Sequence, residues 1–195
     1  MGWDTDVAQP TVVFDACVLY PAPVRDLLIG LATTGLFRAR WTEHIHEEWV
    51  RNLLANRTDL TYSQLQRTKT LMNKAVPDCL VEGYESLIDS LELPDRGDRH
   101  VLAAAIRSRA DLIVTFNERD FPPGILQEFG VSTEHPDDFV MGLLDTDRDL
   151  VVAVARAQRS RLKNPPKSVL EFLDTLRNQR LDKTALVLQG VIDRL

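Results

Sequence analysis

The chain has 195 residues, a formal net charge of −6, and 44% hydrophobic against 27% charged residues. That composition excludes a disordered or fibrous chain and allows one ordinary domain with an appendage. Two cysteines, Cys17 and Cys79, are too few and too far apart for a disulfide framework or a zinc knuckle, so a reducing, cytoplasmic setting is expected. No apolar run approaches the length of a membrane span, and residues 1–10, with Asp4 and Asp6, lack the basic-then-apolar plan of a secretory signal.

Thr11-Val-Val-Phe-Asp15 is a short apolar run ending in an aspartate, and it predicts a strand buried on both faces of a parallel sheet. Asp15 stands at the end of that strand where open α/β sheets place their ligands. It also suits the cap of a following turn, and the segment alone supports both readings. A helix is predicted over 23–34, opened by Pro23 and stopped by Gly35. A short strand follows over 37–41, with Arg38 and Arg40 giving it one wet face.

Thr42 caps a predicted helix over 43–57 whose buried stripe is Ile45, Trp49, Leu53 and, at its edge, Asn52. Glu48 borders that stripe. Ser63 and Gln66 have capping-box spacing and predict a helix over 63–75, with Leu65, Leu71 and Met72 apolar. Residues 76–82 read as a turn with at most a short strand, and 84–91 as a short helix.

Asp98 occupies an N-cap position before a run of strong helix formers, with Asp95 three residues earlier as a surplus acid. Three alanines at 103–105 give that helix a slender face that can approach a sheet closely. Residues 112–114 predict a second buried parallel strand, with Thr115, Asn117 and Asp120 beyond its carboxyl end. A last strand is expected over 130–133 and a helix from 135 to about 144.

The tail predicts three more helices. The first covers 150–161. The second is opened by a Ser168/Glu171 capping box and turns Leu170, Leu173 and Leu176 inward, and the third covers 184–195. Charge divides along the chain: residues 1–155 hold 14 Lys/Arg against 25 Asp/Glu, and residues 156–195 hold 9 against 4. Arg156, Arg159, Arg161, Lys163 and Lys167 cluster about the Pro165-Pro166 break. They are candidate RNA-phosphate contacts, or else a solvated helical surface.

Two strands and two helices thus bring Asp15, Asp120, Glu48 and Asp98 towards one sheet edge. Two carboxylates about 4 Å apart repel by roughly 4 kcal/mol at an effective dielectric of 20. Only protonation or a cation relieves that repulsion. Oxygen donors favour Mg²⁺ or Mn²⁺, which retain water ligands that can serve as nucleophiles towards a phosphodiester.

Taken in order and spacing, the Phe14-Asp15-Ala-Cys-Val-Leu-Tyr-Pro stretch, the Glu48-Trp helix, Asp98-Arg-His-Val-Leu-Ala-Ala-Ala and Thr115-Phe-Asn-Glu-Arg-Asp120-Phe-Pro resemble PIN-domain ribonucleases. The likeness is in particular to VapC-type toxins of toxin–antitoxin pairs. The resemblance covers about residues 10–145. It implies a three-layer α/β/α sandwich around a mostly parallel sheet, with a small all-α lobe over 146–195 outside it.

The resemblance also implies a Mg²⁺- or Mn²⁺-dependent endoribonuclease with an RNA substrate, a cognate antitoxin and a homodimeric state. Asp15, Glu48, Asp98 and Asp120 would hold the ion, and Thr115 and Asn117 would orient water or phosphate. Which of Asn117 and Asp120 touches metal stays open. Where that family often has Asn or Ser two residues after the first acid, this chain has Cys17, which puts one supporting hydrogen bond in question. Cys17 also excludes a haloacid-dehalogenase-type phosphatase, which needs a second aspartate there. The remaining rival is a catalytically silent PIN-fold module that binds RNA or protein. The helical lobe has three readings: it helps hold RNA, docks the antitoxin, or covers a sheet face.

Overall fold

The structure, a computed structural model, describes residues 9–195; residues 1–8, on which most of the reading of the amino terminus rests, lie outside it. In chain order it runs β1 (Thr11–Phe14), α1 (Ala16–Leu19), α2 (Ala22–Ala32), β2 (Arg38–Arg40), α3 (Glu43–Asn56), α4 (Tyr62–Ala75) and α5 (Glu85–Ile88). Next come α6 (Arg99–Ser108), β3 (Leu112–Val114), α7 (Pro123–Leu126) and β4 (Ser132–Glu134), then four helices, α8 (Pro136–Thr146), α9 (Arg148–Arg161), α10 (Val169–Arg177) and α11 (Asp182–Gln189).

The four strands form one sheet in the order β2-β1-β3-β4, and every pairing is parallel. Strands β1 and β3 are buried throughout, as helices on both faces require. The chain leaves β1 first towards β2 and later returns on its other side as β3, so the crevice beyond β1 and β3 is the switch point where such sheets bind ligands. Register pairs Phe14 with Val114, which sends Asp15 and Thr115 out of the sheet side by side.

Phe14 anchors the core. Its ring stacks on Trp41 at 6.3 Å and meets Phe37 and Phe139 edge-on. Phe139 lies on α8, so that helix belongs to the sheet core as well as to the helices after it. The alanines of α6, fully buried, let its backbone pack directly on β1 and β3. The tail helices pack back on the body, α9 along α2 and α8, and α11 against α8.

Several local expectations shift by a few residues, each for a steric or bonding reason. Helix α4 is capped by Thr61 and Gln64, not Ser63 and Gln66: Thr61 Oγ1 accepts the Gln64 N–H and Gln64 Oε1 accepts the Thr61 N–H. Starting two residues sooner gains backbone bonds for the same cap chemistry. Leu71 points out of that helix.

On α3, Asn52 is exposed and His46 and Val50 complete the buried stripe. His46 tolerates burial because both ring nitrogens are bonded. Its Nδ1 accepts the Trp49 indole N–H at 3.0 Å, and its Nε2 faces Asn73 Oδ1 at 2.8 Å. On α10, Phe172 takes the inward place expected of Leu170, since the larger ring removes more apolar area from water. The last strand begins two residues later than expected, after Gly130 turns the chain at φ +69°. The final helix stops at Gln189 and a short 3₁₀ turn follows it.

Candidate active site

Asp15 is 3% exposed, and the strand-end geometry explains its partners. Its Oδ2 accepts the Thr115 hydroxyl at 2.7 Å and the Cys17 thiol at 2.9 Å. Although Asp15 sits at the N-cap position of α1, its side chain caps nothing. Cys17 therefore supplies the supporting hydrogen bond that its departure from the family pattern had put in question. Burial, together with the neighbouring Asp15 charge, pushes the Cys17 thiol well above its usual range, which keeps it protonated as a donor.

The same thiol sulfur accepts the Phe116 N–H at 3.2 Å, and Thr115 Oγ1 accepts the Asn117 N–H at 2.9 Å. These bonds fix the segment after β3 against the segment after β1. Replacing Cys17 with alanine is expected to cost about 1–2 kcal/mol at pH 8, because a charge-assisted bond is lost. Replacement with serine should cost much less; urea unfolding of the two variants checks this.

Asp98 behaves differently from its sequence reading. Its side chain makes no cap bond, and the capping is done by Asp95, whose Oδ1 accepts the Gly97 N–H at 2.7 Å. Asp98 is left half-buried facing other acids. Burial pushes its carboxyl up to about 7, helped by the charges of Asp15, Asp95, Asp120 and Glu48. Burial likewise raises Asp15 against the opposing pull of Cys17 and Thr115, and Glu48 adds to the rise.

Asp98 thus lies within the fields of Asp15, Glu48 and Asp120, and Asp15 within that of Glu48. Among the described residues none of the four forms an ion pair with lysine or arginine. The donor set fits a hard divalent cation by atom type and by uncompensated charge. The four are not closed into a ligand shell: among the described residues, no group of three or more His, Cys, Asp or Glu side chains is arranged to hold a metal ion.

Glu48 has a partner that sequence reasoning missed. His100, 2% exposed on α6, presents Nε2 to Glu48 Oε2 at 3.1 Å, and its other face stacks on His44 at 3.8 Å between ring centroids. His100 joins α3 to α6 and fixes the direction of the glutamate. The signal lay in the Asp98-Arg-His100 order, which sets a histidine half a turn from the acid, but spacing alone does not say what a buried ring touches. His100 Nδ1 is buried without a partner.

Of the sequence candidates around the rim, Thr115 is buried and bonded as described, while Asn117 is exposed and Asp120 half-buried. The five tail cations are partly spent on the protein itself. Arg159 donates to the Leu195 and Lys167 carbonyls, Arg161 pairs with Asp26, and Lys167 donates to Thr175. Arg156 and Lys163 are exposed.

Known proteins resemble this chain in two stretches. A family described as PIN domain matches residues 11–119, which carry Asp15, Glu48 and Asp98 and stop one residue before Asp120. A second, described as VapC50 C-terminal domain, matches residues 136–190, from the start of α8 through α11. A Mycobacterium tuberculosis protein named "Putative ribonuclease VapC50" is 38% identical over 97 residues, a match that covers 50% of this chain and 57% of that protein. No solved structure matches. Among the described residues, no helix is long and apolar enough to cross a membrane.

Proposed function

This chain belongs to the PIN domain family, and on that premise we propose that it is a metal-dependent endoribonuclease that hydrolyses phosphodiester bonds of single-stranded RNA. The observation that carries the proposal is a set of acids with no lysine or arginine partner among the described residues, in which burial and the neighbouring carboxylates raise Asp98 to about 7. Asp15, Glu48, Asp98 and Asp120 would hold Mg²⁺ or Mn²⁺. When bound, such an ion supplies charge stabilisation and an activated water for attack on phosphorus.

The chain's own groups do the rest. Thr115 and Cys17 hold the Asp15 carboxylate in one orientation, His100 does the same for Glu48, and Asn117 stands exposed where a substrate phosphate or water can be oriented. Exposed Arg156 and Lys163 are available to phosphates further along the strand, with Arg159, Arg161 and Lys167 contributing only if they leave their present partners.

By the likeness of residues 136–190 to the VapC50 C-terminal domain and of 97 residues to the VapC50 protein, the proposal extends to a cytoplasmic toxin with a cognate antitoxin and a homodimeric form. We keep 10–145 as the nuclease domain and 146–195 as its helical extension, with α8 shared between them.

The test is cleavage of a single-stranded oligoribonucleotide with Mn²⁺ present. The native chain is expected to cut, and Asp98→Asn to lose at least about 100-fold, since a lost ion contact is worth several kcal/mol in the transition state. Undiminished cutting by Asp98→Asn would overturn the proposal. RNA binding without cleavage at any metal concentration would point instead to a silent binding module. Expression of the native chain should also arrest growth, and expression of Asp98→Asn should not.

A further inference from the structure

We propose that Arg180, in the loop between α10 and α11, is a substrate-positioning residue that holds a phosphate of the RNA strand beside the acid cluster. The helical extension therefore supplies part of the substrate site. This rests on the ribonuclease reading for its substrate and on separate observations for its geometry.

The first observation is place. The guanidinium of Arg180 lies over the Phe116 ring at 4.9 Å from its centroid. Phe116 is the residue after Thr115, which bonds Asp15, and its own N–H is held by Cys17 Sγ. His135 packs edge-on against the same ring at 5.2 Å. A cation from the far end of the chain is thus seated one residue from the Asp15 network.

The second is rigidity. The loop is pinned where α8 begins: the buried Asp137 carboxylate accepts the Lys183 and Thr184 N–H groups at 2.8 and 2.9 Å, and Lys183 pairs with Asp138. Arg180 is carried on a fixed segment at the carboxyl edge of the sheet.

The third is strain. Arg180 has φ +63°, in the left-handed region that favours glycine. Its N–H donates to the Arg177 carbonyl, closing the end of α10, a position where glycine is the usual choice. An arginine kept there is held against the preference of its own backbone.

The fourth is availability. Among the described residues the Arg180 side chain makes no hydrogen bond and no ion pair, although Glu118 and Asp182 line the same cleft. Its planar donors are therefore open on the solvent side, with an aromatic ring behind them, an arrangement suited to a phosphate. A polyanion approaching four carboxylates needs a nearby positive group, and this one is unspent.

The experiment measures fluorescence anisotropy of a labelled single-stranded oligoribonucleotide in EDTA buffer at several salt concentrations. It uses the native chain, Arg180→Gly, Arg180→Lys, and Arg194→Ala as a control for simple loss of charge. Arg180→Gly is expected to melt at or above the native temperature, because the strain is relieved, yet to bind RNA about 5–20-fold more weakly. Its salt dependence should be shallower by about one phosphate contact. Arg180→Lys should fall between, and Arg194→Ala should bind within twofold of native.

With Mn²⁺ present, the KM of Arg180→Gly should rise by the same factor and kcat should stay within about threefold. Equal binding and salt slope for native and Arg180→Gly would overturn the proposal. So would equal weakening by Arg194→Ala, or no measurable RNA binding by the native chain. If the native chain binds RNA through Arg180 and cleaves none, the ribonuclease reading fails while this one stands. If native and Arg180→Gly bind and cleave alike, the reverse holds.

Discussion

Asp15→Asn is expected to abolish RNA cleavage and, in metal-free buffer, to make the protein more stable. Most substitutions of buried polar residues destabilise, so the opposite sign is informative. Asp15 is buried, its ionised form is disfavoured by that burial, and Glu48 and Asp98 stand close enough to be felt. Asparagine keeps an oxygen for the Thr115 and Cys17 donors and removes the charge. Relief of about 1–2 kcal/mol corresponds to roughly 3–6 °C in Tm for a chain of this size. Cleavage with Mn²⁺ should drop at least about 100-fold. Thermal melting in EDTA, paired with a cleavage assay, checks both; a lower Tm for Asp15→Asn would show that the acids are not in conflict.

The second large effect is a pH-dependent response to metal. The Asp98 carboxyl titrates at about 7 in the folded chain, against about 4 when unfolded. Between these values the folded state binds more protons than the unfolded state. Stability in metal-free buffer therefore falls as pH rises from about 4 to about 7 and levels off above that. On the proposed metal-dependent reading, a divalent ion would replace the proton.

Mn²⁺ should accordingly raise Tm little at pH 5 and strongly at pH 8, where a concentration 100 times Kd contributes about 2.7 kcal/mol, or about 5–10 °C. Asp98→Asn should flatten both the metal-free pH slope and the Mn²⁺ response. Melting curves at pH 5, 6, 7 and 8 with and without Mn²⁺ read this directly. An identical Mn²⁺ shift at all four values would separate Asp98 from the ion.

What the sequence determined by itself was set by short-range rules. The apolar runs at β1 and β3 pointed to buried parallel strands, and the alanines of α6 allowed a close approach to them, as the structure has it. The Ser168/Glu171 box opened α10 as expected, because a cap depends on four consecutive residues and little else. The acids were legible only as candidates, since Asp15 at a strand end suited a cap as well as a ligand site and the cap reading alone fails here.

Tertiary structure alone decided what each acid does. Asp98 held the position of a helix cap and does not cap, because a 3₁₀ turn capped by Asp95 runs directly into α6 and leaves the Asp98 backbone helical instead of extended. Glu48 found His100 from a helix 52 positions away along the chain. The tail cations, grouped by sequence, turned out to be partly tied to carbonyls and to Asp26, whereas Arg180, which no local pattern singles out, came to rest on Phe116. Periodicity reports which face of an element is apolar, but the partner of a charge is chosen by the packing of distant segments, and that choice exists only once the chain has folded.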